Sequence, residues 1–354
     1  MFPFATLDPD AWATFLTGDA SALLVAGDAL SSLRMLPDAC IDMVLTSPPY
    51  WRQRRYADAT AIGGEATVRD YVAALLPICA EIRRVLKPTG SFWLNLGDAY
   101  ERKNLCGIPW RVALALQDEG GWTLRNEVIW HKLKGGPDNA RDKLRNVHEH
   151  VFHFVRSARP YYDVDAIRNA PRPTSQGATG VVTATGVSGV RYRRQIQRST
   201  ALSAAERAAA LAALDATLAK VNAGELFDFR MIIRGQQRVT HSDSTAVSGR
   251  ATELARDGFY ILPYDNRGSK PGDVWEIVPE DSWRRDAHSA PFPEALCALP
   301  ILATCPPGGI VLDPFVGTGT AVVAAVRRGR RGIGIDLSAE YLQTAEARLA
   351  TLGS

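Results

Sequence analysis

The sequence has few cysteines and no long apolar run, and these two absences exclude several classes of protein. Its five cysteines are scattered over 354 residues and form no CxxC pair, which argues against a disulfide framework or a zinc ribbon. No segment approaches the ~18 consecutive apolar residues that cross a bilayer, and the first residues lack the basic-then-apolar order of a signal peptide. We therefore expect a cytoplasmic protein with no membrane partner.

A strong charge of one sign is also lacking, but the charge is unevenly distributed. The formal net charge is only +3, which does not by itself indicate a nucleic-acid binder. Residues 165–273 nevertheless hold fifteen Lys and Arg against ten Asp and Glu. Within them, residues 191–198 carry four arginines and no acid. Positive charge is thus concentrated in the middle of the chain.

Short apolar runs alternate with segments of helical spacing at both ends of the chain. Strands are predicted at 22–26, 41–45, 91–96, 309–313 and 332–335, with a late strand pair at 127–130 and 151–155. This alternation predicts a doubly wound, mostly parallel α/β sheet.

The middle of the chain has a different pattern. Residues 171–190 are rich in Gly, Thr, Ser and Pro and indicate a flexible loop. A helix then begins with a capping box, Ser203 and Glu206, and extends to about Val221. We predict one domain formed by residues 1–165 and 276–354, with residues 166–275 inserted as a separate region.

A glycine-bearing turn follows the predicted strand at 309–313. The segment Asp313-Pro314-Phe315-Val316-Gly317-Thr318-Gly319-Thr320 leads into a helix, which is typical of a nucleotide-like ligand at a strand's carboxyl end. It lacks the Gly-Lys-Ser/Thr of a P-loop, and Val322 stands where a dinucleotide fingerprint has its third glycine. Asp336 ends the next strand, where an acid can hold ribose hydroxyls. The pattern favours a nucleoside cofactor without pyrophosphate, such as S-adenosylmethionine; an ordinary structural turn is the alternative.

A second motif, Thr46-Ser47-Pro48-Pro49-Tyr50, follows the strand at 41–45. An exocyclic base amine is a poor nucleophile because its lone pair is delocalised into the ring. The Ser47 hydroxyl and the Pro48 carbonyl can accept its two N–H groups, and the prolines remove competing donors. Tyr50 offers a flat face for an extruded base. A rigid structural turn is again the alternative.

Taken together, these motifs resemble those of the amino-methylating DNA methyltransferases. The order, SPPY first and DPFVGTGT near the C-terminus, is similar to that of their circularly permuted β class. Residues 27–30 (GDAL) resemble the segment whose acid meets the cofactor adenine, and residues 288–294 (HSAPFPE) resemble the motif that covers the methionine end. Residues 129–132 (IWHK) resemble the late strand pair near the target base. The resemblance covers residues 20–165 and 270–350.

The resemblance implies a seven-stranded, Rossmann-like sheet and methyl transfer from S-adenosylmethionine, giving S-adenosylhomocysteine, without a metal. The implied catalytic residues are Ser47, Pro48, Pro49 and Tyr50. The implied cofactor-binding residues are Asp28, Ser289, Phe292, Pro293, Asp313, Pro314, Phe315, Gly317, Thr318, Gly319, Thr320, Asp336 and Leu337.

The implied substrate is a flipped base in double-stranded DNA at a specific site, with residues 166–275 in the target-recognition position. Within this family, Ser at the first motif position mostly accompanies N4-cytosine methylation, so cytosine is favoured over N6 of adenine. A catalytically inactive DNA-binding specificity subunit is the non-enzymatic alternative. The implied partners are a second copy of the chain and a cognate restriction endonuclease.

Arginines supply the candidate DNA contacts, against the alternative of solvated charge runs. They are Arg52, Arg54, Arg55, Arg191, Arg193, Arg194, Arg198, Arg234 and Arg238.

Two further chemistries are disfavoured by the sequence. Methylation at ring carbon 5 needs a cysteine nucleophile in a Pro-Cys loop, whereas Cys305 precedes Pro306 and lies before the cofactor strand. A zinc site at His148, His150 and His153 is disfavoured because a strand turns His153 to the opposite face.

Overall fold

The structure is a computed structural model that describes residues 5–6, 9–52, 62–134, 139–170, 175–177, 180–182, 189–235, 249–265, 267–279 and 292–352. The chain divides into two compact units. Unit 1 comprises Met1–Ile167 and Gly272–Ser354, and unit 2 comprises Arg168–Pro271. Within the described ranges, none of the helices combines the length and apolarity needed to cross a membrane.

The strands are β1 Ala5–Thr6, β2 Ala22–Ala26, β3 Ile41–Thr46, β4 Leu86–Leu96, β5 Tyr100–Glu101, β6 Asn104–Leu105, β7 Thr123–Lys132, β8 His148–Val155, β9 Ser175–Gly177, β10 Gly180–Val182, β11 Asp228–Ile233, β12 Phe259–Tyr264, β13 Val274–Ile277, β14 Ile310–Asp313 and β15 Arg331–Asp336. The helices are α1 Pro9–Thr17, α2 Ala29–Met35, α3 Val68–Val85, α4 Ile108–Asp118, α5 Gly189–Arg198, α6 Ala204–Asn222, α7 Gly249–Asp257, α8 Glu294–Thr304, α9 Thr320–Arg327 and α10 Ala339–Ala350.

Unit 1 is built on a sheet that has nine strands among the described residues, in the order β1-β2-β15-β14-β3-β4-β8-β7-β13. β8 pairs antiparallel with both β4 and β7, and the other neighbours are parallel. The prediction of a doubly wound, mostly parallel sheet with a late strand pair is confirmed. The seven strands from β2 to β7 match the expected number, and β1 and β13 add one strand at each edge.

Both faces of this sheet are covered because its central strands are apolar on both sides. In β3, Val44 packs into a core with Leu75 and Ile82 of α3. Its neighbours Met43 and Leu45 pack into a second core with α8 and α9. Successive side chains of a strand point to opposite faces, so one fully buried strand contributes to both cores, as expected of a parallel strand between helix layers.

Element boundaries show one difference from the sequence prediction. Thr67 caps α3 by accepting a hydrogen bond from the Asp70 N–H, and the helix ends at Val85. β4 begins directly at Leu86, earlier than the strand predicted at 91–96. The extra length lets Leu86 pair with Ile41 before a register shift in the ladder.

Unit 2 has its own core, in which Tyr192 and Ile196 of α5 pack with Leu214 of α6 and Phe229 of β11. The predicted capping box is present, with both Ser203–Glu206 hydrogen bonds formed. The predicted loop over residues 171–190 is wrong in part, because β9 and β10 form an antiparallel pair there and α5 already begins at Gly189.

Candidate active site

The two sequence motifs leave the sheet at adjacent strand ends. β3 and β14 are parallel neighbours, with Val311 opposite Met43, so the loops that follow them emerge from the same edge. A hydrogen bond joins them: Thr46 Oγ1 donates to Asp313 Oδ1 at 2.5 Å, and both residues are only 1% exposed. Thr46 and Asp313 are 267 residues apart in the chain, so the SPPY loop (Ser47–Tyr50) and the glycine turn (Pro314–Gly319) that follow them are brought together.

The glycine turn after β14 has a backbone that only glycine adopts easily. Gly317 has a φ of 49° and Gly319 a φ of 85°, both in the left-handed region. A Cβ on Gly319 would lie 2.7 Å from the Cβ of Ala345, so α10 packs directly against the turn. Arg348 of α10 donates to the Thr318 carbonyl at 2.7 Å, a support that sequence reasoning missed.

Three acids follow the neighbouring strands β2, β15 and β14 at this edge. The Asp336 carboxylate accepts the Gly317 N–H at 2.9 Å and the Ser338 N–H at 2.8 Å. The Gly27 N–H donates to the Asp336 carbonyl, and Asp28 caps α2 by accepting the Ser31 N–H. The loops that carry the acids are thus contiguous.

Burial has a strong effect on two of these acids. It raises the pKa of Asp313 to about 7, and the nearby Asp336 charge adds to the shift, while the Thr46 hydroxyl and the Phe315 N–H oppose it. Burial also raises the pKa of Asp336, against the opposing hydrogen bonds from backbone N–H groups. Desolvation disfavours the charged form of a carboxyl, so Asp313 is partly protonated near neutral pH.

The SPPY loop after β3 enters a network of buried polar groups. Ser47 Oγ donates to Tyr50 Oη at 3.0 Å, and Tyr50 Oη donates to Glu149 Oε2 at 2.7 Å. Asn95 Nδ2 lies 2.9 Å from Tyr50 Oη and 2.7 Å from Glu149 Oε2. Burial raises the pKa of Tyr50 well above its usual value, and the Glu149 charge adds to this. Tyr50 therefore keeps its proton and acts as a donor.

A lysine compensates the buried carboxylate of this network. Glu149 is 8% exposed, and Lys132 on the neighbouring strand β7 pairs with its second oxygen, Oε1. The Lys132 ammonium also lies 4.9 Å from the centre of the Trp130 ring. A buried carboxylate without such a partner is strongly destabilising, so Lys132 stabilises Glu149 in its position beside Tyr50.

Sequence reasoning missed Asn95 and Glu149. The available signal for Asn95 was a polar residue within an otherwise apolar strand, FWLNL. Glu149 lies among three histidines in HEHVFHFV, a context that offers no comparable signal.

The Tyr50 ring and the backbone of the SPPY loop are each held by a neighbouring residue. A Cβ on Gly97 would lie 2.8 Å from Tyr50 Cε2, so the tyrosine ring rests against β4's end where only a glycine fits. Tyr71 Oη donates to the Pro49 carbonyl at 2.9 Å. These contacts fix the loop's position relative to the sheet.

The other predicted residues of unit 1 are placed as follows. Pro314 is buried and Phe315 half-buried, Pro293 caps α8 with Phe292 half-buried before it, and Leu337 is exposed. Arg52 pairs with Glu101 at 2.9 Å and lies over the Trp51 ring. Ser289, Arg54, Arg55 and Arg238 lie outside the described residues.

The described arginines of unit 2 that were predicted to contact DNA differ in their ion pairing. Arg191, Arg194 and Arg198 are exposed on α5, at spacings that share a helix face. Arg193 pairs with Asp215. Arg234 donates to both oxygens of Glu206, at 2.7 and 2.8 Å, and to the Ala201 carbonyl. These bonds tie the end of β11 to the start of α6, and the DNA contact of Arg234 stays a prediction.

The histidines and Cys305 have structural surroundings. His150 bonds Glu127 at 2.7 Å, whereas His153 stacks on Trp93 on the opposite face of the sheet. In the part of the chain that the structure describes, no cluster of three or more His, Cys, Asp or Glu could hold a metal ion. Burial raises the pKa of the Cys305 thiol to about 12, which leaves it unreactive as a nucleophile.

Comparison with known proteins agrees with this geometry. A family model described as DNA methylase, for the N6 and N4 enzymes, matches residues 41–347. The type II methyltransferase M.SfiI of Streptomyces fimbriatus is 31% identical over 90% of this chain and 89% of its own. M.SmaI of Serratia marcescens is 27% identical over 93% and 91%.

Among solved structures, the PvuII DNA methyltransferase (cytosine-N4-specific) has a similar fold. Its TM-score is 0.58 at 18% identity, over 93% of this chain and 86% of that one. The fold is thus that of a Rossmann-like methyltransferase. The chain belongs to the N6/N4 family of DNA methylases.

Proposed function

We propose that the protein is a site-specific methyltransferase that transfers the methyl group of S-adenosylmethionine to N4 of cytosine in duplex DNA. The observation that carries this proposal is the pairing of β3 with β14, reinforced by the Thr46–Asp313 hydrogen bond. It brings an amine-binding loop and a nucleoside-binding turn to one edge of the sheet.

The residues at this edge fit S-adenosylmethionine. Gly317 and Gly319 have no side chains, so a ligand can approach the protein backbone at this turn closely. The Asp336 and Asp28 carboxylates suit the hydroxyls of ribose and the amine of adenine. Asp313 lines the same edge. When bound, the group supplies an electrophilic methyl. Its product is S-adenosylhomocysteine.

The chain's own residues bind and orient the target amine. Because Ser47 donates its hydrogen to Tyr50, the lone pairs of its Oγ are available to accept an amine N–H. The Pro48 carbonyl accepts the second N–H, and the Tyr50 ring, fixed by Gly97, stacks on the base. Flipping the base costs a few kcal/mol, and much of the acceleration comes from positioning the two reactants.

The serine at position 47 favours cytosine, since this residue mostly accompanies N4 methylation in the enzymes that the sequence resembles. The family model spans N4 and N6 enzymes alike, so N6 of adenine is the second candidate. Digesting methylated DNA to nucleosides and identifying the methylated nucleoside by mass spectrometry distinguishes the two.

Unit 2 is proposed to recognise the target sequence. The exposed arginines of α5 suit phosphates or guanine edges. By analogy with relatives named type II methyltransferases, the methylation protects sites from a cognate restriction endonuclease. A homodimer is the proposed assembly.

The test is Ser47→Ala, with methyl incorporation into DNA and cofactor binding measured separately. We expect unchanged cofactor affinity and a turnover lower by ~100-fold, as for loss of other preorganised polar groups. Lost cofactor binding without a direct effect on chemistry contradicts the role of Ser47. Wild-type protein that methylates no DNA favours an inactive specificity subunit instead.

A further inference from the structure

Methylation of an amine leaves one proton too many on the nitrogen, and the residues that bind the amine must pass it on. We propose that Ser47, Tyr50 and Glu149 form a proton relay, with Glu149 as the terminal acceptor. This inference rests on the proposed function and deepens it, because neither the binding of the amine nor the stacking of the base requires a buried carboxylate behind the tyrosine.

The hydrogen bonds of the relay run in one direction. Ser47 donates to Tyr50 at 3.0 Å, and Tyr50 donates to Glu149 Oε2 at 2.7 Å. A chain of donors that all point away from the substrate ends on a group without a proton, which is the arrangement that a proton needs in order to leave. The carboxylate also polarises both hydroxyls, since such networks strengthen their members, and this makes Ser47 Oγ a better acceptor.

Two neighbouring side chains fix the position of the Glu149 carboxylate. Lys132 pairs with Oε1 of Glu149 and Asn95 donates to Oε2 at 2.7 Å, so both oxygens are fixed in position. Asn95 lies 3.5 Å from Ser47 Oγ as well, and it thereby ties both ends of the relay to β4. Lys132 and Asn95 are positioning residues: they hold the acceptor and take no proton.

The step balances as follows. The N–C bond forms while the bond between the methyl group and sulfur breaks, and the electron pair of that bond stays on sulfur. The extra proton on nitrogen moves to Ser47 Oγ, the Ser47 proton moves to Tyr50 Oη, and the Tyr50 proton moves to Glu149 Oε2. Ser47 and Tyr50 end unchanged, and Glu149 ends as a neutral acid that returns its proton to water when the product leaves.

Two substitutions test the relay without removing the groups that bind the base. Tyr50→Phe keeps the stacking ring and deletes the bridging hydroxyl, whereas Glu149→Gln keeps the size and removes the charge. The matched control is Glu127→Gln on β7, a half-buried glutamate whose partner is His150. The readouts are the single-turnover rate on DNA, the affinity for S-adenosylmethionine and the solvent deuterium isotope effect.

We expect each relay variant to lower the single-turnover rate at least ~10-fold, within the range of acid–base contributions, with cofactor affinity unchanged. The double variant is expected to be no slower than the slower single one, because both break the same path. The isotope effect of the wild type should disappear in Tyr50→Phe, and Glu127→Gln should match the wild type.

A full rate or an unchanged isotope effect in Tyr50→Phe overturns the relay, even if Glu149→Gln does not fold. Independent, multiplicative losses in the double variant overturn it too. In both cases the wild type still methylates DNA, so the proposed function survives. A wild type that produces no methylated base contradicts the proposed function itself.

Discussion

Replacing Asp313 by Asn removes a buried charge and keeps its hydrogen bonds. Asp313 Oδ1 accepts from Thr46 Oγ1 and from the Phe315 N–H, and an amide oxygen can accept both. The pKa of Asp313 is raised to about 7 from 3.8, so below pH 4 this group does not favour unfolding. As the pH rises through about 7, the unfolded chain releases this proton more readily than the folded one, and stability is lost.

The size of the effect follows from proton linkage. Between pH 5 and pH 6 the folded state binds about one more proton at this site, so wild-type unfolding free energy falls by about 1.4 kcal/mol per pH unit from this group alone. Near pH 7 the folded group is half protonated, and the slope falls to about half of that value. Asp313→Asn lacks that contribution. Asp336 is present in both proteins, so its own titration largely cancels in the difference.

Urea denaturation followed by tryptophan fluorescence measures the difference. All eight tryptophans lie outside residues 168–271, so the signal reports unit 1. Thr46→Val is the matched control, because it loses the donor that favours the charged form and should keep or steepen the wild-type slope. Parallel free-energy curves for wild type and Asp313→Asn from pH 5 to pH 7 would refute the reasoning.

Four further outcomes are expected. Gly97→Ala should displace the Tyr50 ring and lower methylation more than ~10-fold, with cofactor affinity retained in calorimetry. Gly319→Ala should weaken cofactor binding and lower the melting temperature, because its φ of 85° and the 2.7 Å approach to Ala345 leave no room for a methyl group. Burial lowers the pKa of His153 to about 3, so the folded wild type loses stability as the pH falls below about 6.5. His153→Phe should remove this loss, which melting temperatures at pH 5 and pH 7 measure. Replacing the exposed arginines of α5 with Gln should make the slope of log DNA affinity against log salt concentration shallower, by about 0.9 for each phosphate that is no longer neutralised. An unchanged slope contradicts their role.

Much of the sheet was predictable because its signals are local. β3 is a mostly apolar run, interrupted by Asp42, that is followed by Ser47 and a proline pair. β14 ends in Asp313, before the two glycines of the turn. The rule that ligands bind at the carboxyl ends of parallel strands then brings both motifs to one edge. The extra strand β13 was not predictable in this way, since Val274–Ile277 follows the insertion and pairs with β7 more than 140 residues earlier.

The polar network of the site was beyond sequence reasoning for a similar reason. Asn95, Lys132 and Glu149 come from β4, β7 and β8, and only the antiparallel reversal of β8 brings them to Tyr50. A single polar residue in an apolar strand does not announce its partner. A charge run likewise does not reveal ion pairs within the fold, such as the one between Arg234 and Glu206 of the α6 capping box.

The strand order also affects how the chain can be made. β14 and β15 lie between β2 and β3 in the sheet, but they are the last strands to leave the ribosome. Until residue 336 has emerged, β2 and β3 each present an unpaired edge toward a gap two strands wide, and exposed edges of this kind invite aggregation. We therefore expect a nascent or prematurely terminated chain to be prone to aggregation, and it lacks the glycine turn that the proposed function assigns to cofactor binding.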